Sequence, residues 1–326
     1  MIGTSKIFEI STAQEFESKA LDIFRFQIEK NTVYSDFCEY LGRTMDNVKL
    51  VNEIPFLPIG FFKSKKVVSS KNSAQSVFSS SGTTGQMTSK HYVTDLAIYE
   101  ESYLKGFQSF YGAIMDYCVL ALLPSYLERS GSSLIYMVDD LIKKSNHSES
   151  GFYLDEIDTL LEKLTRLDSE GTKVLLIGVS FALLNLVKKH QLQLKNTIIM
   201  ETGGMKGRGK ELIREELHDI LKKGFGTETI HSEYGMTELL SQAYSRGNGI
   251  FKTPPWMNIF IRDTEDPLTL LETGKTGGIN VIDLANINSC SFIATQDLGK
   301  KHRDGSFEIL GRFDNSDIRG CNLMVV

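Results

Sequence analysis

Seven of the eight residues 79–86, Ser-Ser-Ser-Gly-Thr-Thr-Gly-Gln, are Ser, Thr or Gly. Glycines let backbone N–H groups converge on an anion, and hydroxyls add further donors, so such a loop suits a phosphate. It is not a G-x-x-x-x-G-K-[ST] loop, and the same composition also makes a flexible linker. A second string, Glu-Thr-Gly-Gly-Met-Lys-Gly-Arg-Gly over 201–209, sits between an expected strand and an expected helix. Ligands of open α/β sheets bind outside the carboxyl ends of strands, and glycine there lets flat rings or phosphates reach the backbone. An ordinary strand-to-helix turn fits as well. The third string is His231-Ser-Glu-Tyr-Gly-Met-Thr-Glu238, read as following a strand and opening a helix. An aromatic can stack on a base, Thr can bond a phosphate, and Glu can hold Mg²⁺ through hard oxygens. His231 fits an anion contact or a satisfied structural histidine. The fourth is Thr295-Gln-Asp-Leu-Gly299, with Arg312 fifteen residues beyond Asp297. An Asp can take both hydroxyls of a ribose, and an Arg can reach ribose or phosphate. A β-turn pair with a surface ion pair is the other reading.

The elements that must position these residues follow from periodicity. Ala20, Ile23, Phe24 and Ile28 share one helical face, and Tyr34, Phe37 and Tyr40 lie on a second segment. Pro55 and Pro58 exclude a regular helix over 54–62, which reads as buried and extended. Strands are expected at 119–123, 173–179, 197–201 and 229–234, and helices at 132–143, 154–167, 181–190 and 210–221. That alternation argues for an α/β fold with a largely parallel sheet. Short β segments separated by turns follow residue 258. The expected division is therefore an α/β core over 1–257 and a β-rich lobe over 258–326.

Composition narrows the classes. The chain has 41% hydrophobic and 24% charged residues, so general disorder is excluded. Lys+Arg 36 against Asp+Glu 41 leaves a net charge of −5, and the densest basic stretch is Lys63, Lys65 and Lys66. That is not a nucleic-acid footprint. No apolar run reaches membrane-spanning length, and the start lacks the pattern of a signal peptide. Cys38, Cys118, Cys290 and Cys321 are too few for a disulfide scaffold and form no C-x-x-C pair. A reduced, cytoplasmic enzyme is the expectation.

Taken in order, the four strings resemble the adenylate-forming superfamily of acyl-CoA synthetases, adenylation domains and firefly luciferase. SSGTTG resembles its phosphate loop, YGMTE its Y-G-x-T-E motif, TQDLG its T-G-D motif, and GRFDNSDIRG the segment at its domain hinge. IPFLPIGFFKS, LLPSYLERSGSSLIYM and RGCNLMVV are similar to the LuxE-like acyl-protein synthetases, from about residue 50 onward. The resemblance implies that Ser80, Ser81, Gly82, Thr83, Thr84 and Gly85 hold ATP phosphates, and that Gly203 and Gly204 line the adenine and acyl pocket. It implies that Tyr234 stacks on adenine, Thr237 contacts phosphate, Glu238 binds Mg²⁺, and Asp297 and Arg312 hold the ribose. Asp314 falls at the hinge, and Cys321 matches a near-terminal cysteine that accepts the acyl group. Two departures stand out. Lys90 comes two places later than the family's loop lysine, with no preceding Pro, and the chain ends twelve residues after Asp314. The expected fold is accordingly the adenylate-forming core without its usual mobile C-terminal domain.

The activity expected is ATP-dependent conversion of a carboxylic acid, of fatty type, to an acyl-adenylate, followed by thioester formation on Cys321. Arg319 stands two residues away to favour the thiolate. The segments 122–131, 177–181 and 200–205 are mostly apolar and suit a hydrophobic acyl tail. A reductase, transferase or carrier protein would then receive the acyl group. The alternatives are a carboxylate–CoA ligase of the phenylacetate type, or a non-catalytic module that binds nucleotide or acyl ligand.

Overall fold

The computed structural model describes residues 4–80, 87–124, 131–203 and 212–312. A 3₁₀ turn (Thr4–Ile7) leads into α1 (Ala13–Lys30), α2 (Thr32–Tyr40), β1 (Leu57–Pro58) and a one-turn α3 (Phe61–Ser64). The hairpin β2 (Ser76–Ser79) and β3 (Lys90–Val93) precedes α4 (Leu96–Tyr111). Next come β4 (Cys118–Leu122), α5 (Ser133–Ser145), β5 (Gly151–Phe152), α6 (Ile157–Ser169), β6 (Val174–Val179), α7 (Ser180–Lys189), β7 (Thr197–Thr202), α8 (Arg214–Phe225) and β8 (His231–Tyr234). The chain continues through β9 (Ala243–Ser245), β10 (Ile250–Lys252), β11 (Met257–Arg262), β12 (Thr276–Asp283), β13 (Phe292–Lys301) and β14 (Phe307–Arg312).

Among the described residues, all but β2 and β3 join one twelve-stranded sheet, with β1 beside β13. Strands β5, β4, β6, β7 and β8 run parallel, and their crossovers contain helices, as parallel connections require. From β8 the sheet turns antiparallel through β9, β10, β14, β13, β12 and β11. The late β segments are thus hydrogen-bonded into the sheet that carries the parallel strands. Strands β4 and β6 are apolar along nearly their whole length because helices cover both faces, and one core forms on each face.

Two expected elements differ. No helix follows Tyr234: residues 235–242 form a turn that leads into β9. The Thr295–Gly299 string lies inside β13 rather than in a turn. Tyr40 is 90% exposed, whereas Tyr34 is buried and donates its hydroxyl to the Pro55 carbonyl at 2.7 Å.

The N-terminal helices brace the far end of the chain. A capping box between Thr12 and Glu15 starts α1. Its buried Gln27 donates to the carbonyls of Asn286 and Ile287 at 3.0 and 2.9 Å and accepts from the Ser291 N–H at 2.9 Å. Asn31 caps α2 and donates to the Ser289 carbonyl at 2.8 Å. Truncating Gln27 leaves those backbone groups buried without partners. Gln27→Ala should therefore lower the unfolding free energy by about 2–3 kcal/mol in urea melts. A change below about 0.5 kcal/mol would show that the brace carries no load.

Candidate functional site

Asp297 is the meeting point of three strands. It is buried on β13, and its Oδ2 accepts the Tyr234 hydroxyl from β8 at 2.7 Å. Its Oδ1 accepts from Arg312 Nε at 3.1 Å, and the two residues are direct cross-strand partners of β13 and β14. A buried carboxylate needs such donors to offset lost hydration. Burial and the Asp297 charge push the Tyr234 phenol well above its ordinary value, so Tyr234 remains a donor. Desolvation of its inner part works against the charge of the largely exposed Arg312, but Asp297 beside it carries the balance upward. The Tyr234 ring packs edge-on against Phe251 and Phe307, at centroid distances of 6.1 and 5.9 Å.

Glycine ends the Thr295–Gly299 string for a steric reason. A Cβ on Gly299 would meet the Glu308 carbonyl oxygen and an Ile279 methyl, each at 2.5 Å. The β13–β14 register shifts between Leu298 and Gly299, just past Asp297. Under the strand lies the buried Arg262, whose guanidinium donates to the Ile279 carbonyl and Asn280 Oδ1 at 2.8 Å each and to the Thr295 carbonyl. Burial brings Arg262 down to about 10, with Asp297 acting in the opposite direction.

The turn after Tyr234 is held by side chains far away in sequence. His91 on β3 bonds the Thr237 carbonyl through Nδ1 at 2.9 Å and Ser289 Oγ through Nε2 at 2.8 Å. A carbonyl can only accept, so Nδ1 carries the proton. Asn286 donates to the Glu238 carbonyl at 2.7 Å and accepts from the Leu240 N–H at 3.1 Å. Asp283 accepts from the N–H groups of Leu240 and Ser241 at 2.9 Å each and from Ser241 Oγ at 2.6 Å. Burial raises the Asp283 carboxyl to about 6 despite those bonds. Glu238 is buried, and its charge is among those that raise Arg312. Thr237 is half-buried in the same turn.

The ends of β7 and β8 carry a second set of buried carboxylates. Burial pushes Glu201 upward, but His218 and Arg214 hold it below the usual range. Glu201 also accepts from Ser180 at 3.1 Å. Glu233 takes a hydrogen bond from the Thr202 hydroxyl. Gly203 follows with φ +67°, and its carbonyl accepts from Ser180 Oγ at 3.0 Å. His231 is pushed down to about 4 by burial and then by the Arg246 and His218 charges, and the Tyr111 hydroxyl lies 3.2 Å from its Nδ1.

The structure therefore joins Tyr234, Asp297 and Arg312 through hydrogen bonds, and Thr237 and Glu238 lie in the turn that follows Tyr234. Ser80 closes the neck of the β2–β3 hairpin: its N–H donates to the Ser89 carbonyl at 3.1 Å, and its Oγ accepts from the Ser89 N–H at 3.0 Å. Lys90 is exposed at the start of β3. Ser81, Gly82, Thr83, Thr84, Gly85, Gly204, Asp314, Arg319 and Cys321 lie outside the described residues. Cys38, Cys118 and Cys290 are buried, and burial raises all three thiols, Cys38 to about 12. Sequence reasoning missed His91, Arg262, Asp283 and Asn286, because each acts on a partner that only the fold supplies.

The donor set fits a nucleotide. Each Asp297 oxygen takes one donor here and keeps lone-pair capacity for a ribose hydroxyl. Among the described residues no group of three or more His, Cys, Asp or Glu side chains could hold a metal. A single carboxylate such as Glu238 still fits Mg²⁺, which nucleotide sites hold through one or two carboxylates plus substrate phosphates. Among the described residues no helix is long and apolar enough to cross a membrane.

No family model and no curated protein matches the chain. Solved structures do. ATP-bound MatB from Rhodopseudomonas palustris aligns with TM-score 0.54 and 18% identity over 72% of this chain and 47% of that one. An open conformation of 2-hydroxyisobutyryl-CoA ligase with 2-HIB-AMP and CoA aligns with TM-score 0.67 and 11% identity over 93% and 70%. The same ligase in its postadenylation state with 2-HIB-AMP gives 0.64 and 11% over 93% and 68%. The fold is that of the adenylate-forming enzyme core. The chain spans about half the length of the MatB chain it matches.

His91 offers a test of how the turn is held. Burial lowers it to about 4, with the Thr237 hydrogen bond acting in the opposite direction. Because the folded value lies below the unfolded one of about 6.5, its contribution is complete above pH 6.5 and is lost as pH falls through 4. His91→Gln should destabilise the protein at pH 7. The gap to wild type should shrink by about 2 kcal/mol between pH 7 and pH 4.5, as measured by denaturant melts. A gap independent of pH would show that His91 is not buried in its neutral form.

Proposed function

We propose that the protein activates a carboxylic acid with ATP as an acyl-adenylate and passes the acyl group to a thiol, acting as an acyl-protein synthetase of LuxE-like type with Cys321 as acceptor. The observation that carries the first half is the buried Asp297, shared by Tyr234 and Arg312, with the charge of Glu238 acting on Arg312. It sits in a fold also found in structures that hold ATP or an acyl-AMP. In the first half-reaction the acid's carboxylate oxygen bonds to the α-phosphorus of ATP, and the bond to pyrophosphate breaks. Side chains have little covalent work in such a step, so catalysis is positioning and charge stabilisation. Asp297 and Arg312 fix the ribose. Thr237 and the loop 80–85 supply donors to phosphate, and Glu238 would hold Mg²⁺, which would supply positive charge at the phosphates. In the second half-reaction a thiolate attacks the acyl carbonyl and AMP leaves.

Support for Cys321 comes from the similarity of the RGCNLMVV string to the LuxE-like family. The competing acceptor is CoA, favoured by the likeness to a ligase structure that contains it. The two readings differ in what carries the product.

The first half predicts Mg²⁺-dependent ATP–pyrophosphate exchange that requires an added carboxylic acid. Glu238→Gln should cut that exchange by on the order of 10²–10³-fold with an unchanged circular dichroism spectrum. Background exchange with short, long and aromatic acids alike would favour a binding module over an enzyme. The second half predicts that a radiolabelled acid with ATP leaves a hydroxylamine-sensitive label on the protein. Cys321→Ser should keep exchange and lose the label. Label that persists in Cys321→Ser, or turnover that strictly needs CoA, would remove Cys321 as the acceptor.

A further inference from the structure

The β8–β9 hairpin puts two acceptors on the face opposite the Asp297 cluster. Its register pairs Glu233 with Tyr244 and Tyr234 with Ala243. Side chains alternate along strands, so Glu233 and Tyr244 share one face while Tyr234 turns to the other. Gly235 follows the last residue of β8, and Gln242 precedes the first of β9. A Cβ on Gly235 would collide with Glu233 Oε1 and stand 3.4 Å from Gln242 Cγ, so the two side chains crowd the same spot. The glycine is what lets them do so.

Neither side chain is settled. Gln242 is only 5% exposed, and among the described residues its buried Oε1 has no hydrogen-bond partner. Glu233 is 8% exposed, and its Oε2 is taken by the Thr202 hydroxyl. Among the described residues the ionisable groups that act on it are Glu201 from β7, Tyr99 from α4 and Tyr244 from β9, and none is a cation. Burial, partly offset by Thr202 and reinforced by Glu201, raises its carboxyl to about 7. Among the described residues Gln242 Oε1 meets no donor, and the only hydrogen bond Glu233 receives through its side chain is from Thr202.

We propose that Glu233 and Gln242 form an acceptor subsite for a hydroxyl or amino group on the acid substrate, so that the preferred acid carries a hydrogen-bond donor. The proposal rests on the acid-activating reading above. Thr202 is the last residue of β7 and Glu233 the last but one of β8, and ligands of α/β sheets bind beyond the carboxyl ends of such strands. Adjacent residues on β8 thus serve opposite faces: Tyr234 bonds the residue assigned to the ribose, and Glu233 faces the proposed acid substituent. A donor reaching this spot satisfies Gln242 Oε1 and bridges to Glu233. A plain alkanoic acid leaves both unpaired.

The test is ATP–pyrophosphate exchange with chain-matched plain, hydroxylated and aminated acids, using wild type, Gln242→Met and Glu233→Gln. In wild type the best donor-bearing acid should exceed its plain counterpart in kcat/KM by on the order of 10²-fold. That ratio should fall at least about tenfold in Gln242→Met, or in Glu233→Gln if the first variant does not fold. The hydroxylated and aminated arms decide which donor is meant. Plain acids that match or outperform both donor-bearing series in wild type, or a ratio unchanged in the folded variants, would overturn the subsite and leave acid activation standing. No exchange with any acid would overturn both.

Discussion

Asp297 is a carboxylate kept largely from water, and the site is arranged around satisfying it. Its two oxygens are claimed by donors on different strands, Tyr234 from the end of the parallel half of the sheet and Arg312 from the antiparallel half. Neither donor reaches it unless β13 runs between them in the observed register. That register depends on the absence of a side chain at Gly299 and on the carbonyls of β12 and β13 being gathered by Arg262. One buried charge therefore ties the two halves of the sheet into a single site.

The same logic extends to the turn that carries Thr237 and Glu238. Its backbone is taken up by His91 from the β2–β3 hairpin, Asp283 at the end of β12 and Asn286 in the segment that follows. That segment is in turn held by Gln27 and Asn31 of the N-terminal helices. The first helices thus act on the site at one remove, through backbone carbonyls some 260 residues later in the chain. A long relay of this kind suits a site that must hold charges in place before substrate arrives, since preorganised groups need no rearrangement in the reaction.

How much of this was legible depended on whether the signal was local. The helices α5 to α8 and strands β4, β6, β7 and β8 follow from apolar spacing and match within a few residues. The Met-Thr-Glu-Leu-Leu stretch after Gly235 has helical preference, yet Asp283 and Asn286 take the N–H groups of Leu240 and Ser241, and a turn results. Tertiary bonds overrode propensity there. Thr295–Gly299 reads as a turn because it is polar and ends in glycine. It is a strand because Thr295 and Asp297 find partners on neighbouring strands. His91 carried no sequence signal, since its partners lie 146 and 198 residues away.

The central claim is that Asp297 grips a ribose, and nucleotide binding tests it most directly. AMP and its 2′,3′-dideoxy analogue can be titrated calorimetrically into wild type and Asp297→Ala. The account predicts that wild type binds AMP at least about tenfold more tightly than the dideoxy form, because charged hydrogen bonds to the hydroxyls are lost. Asp297→Ala should bind the two alike. Equal binding of both nucleotides by wild type, or a preference that survives in Asp297→Ala, would contradict it.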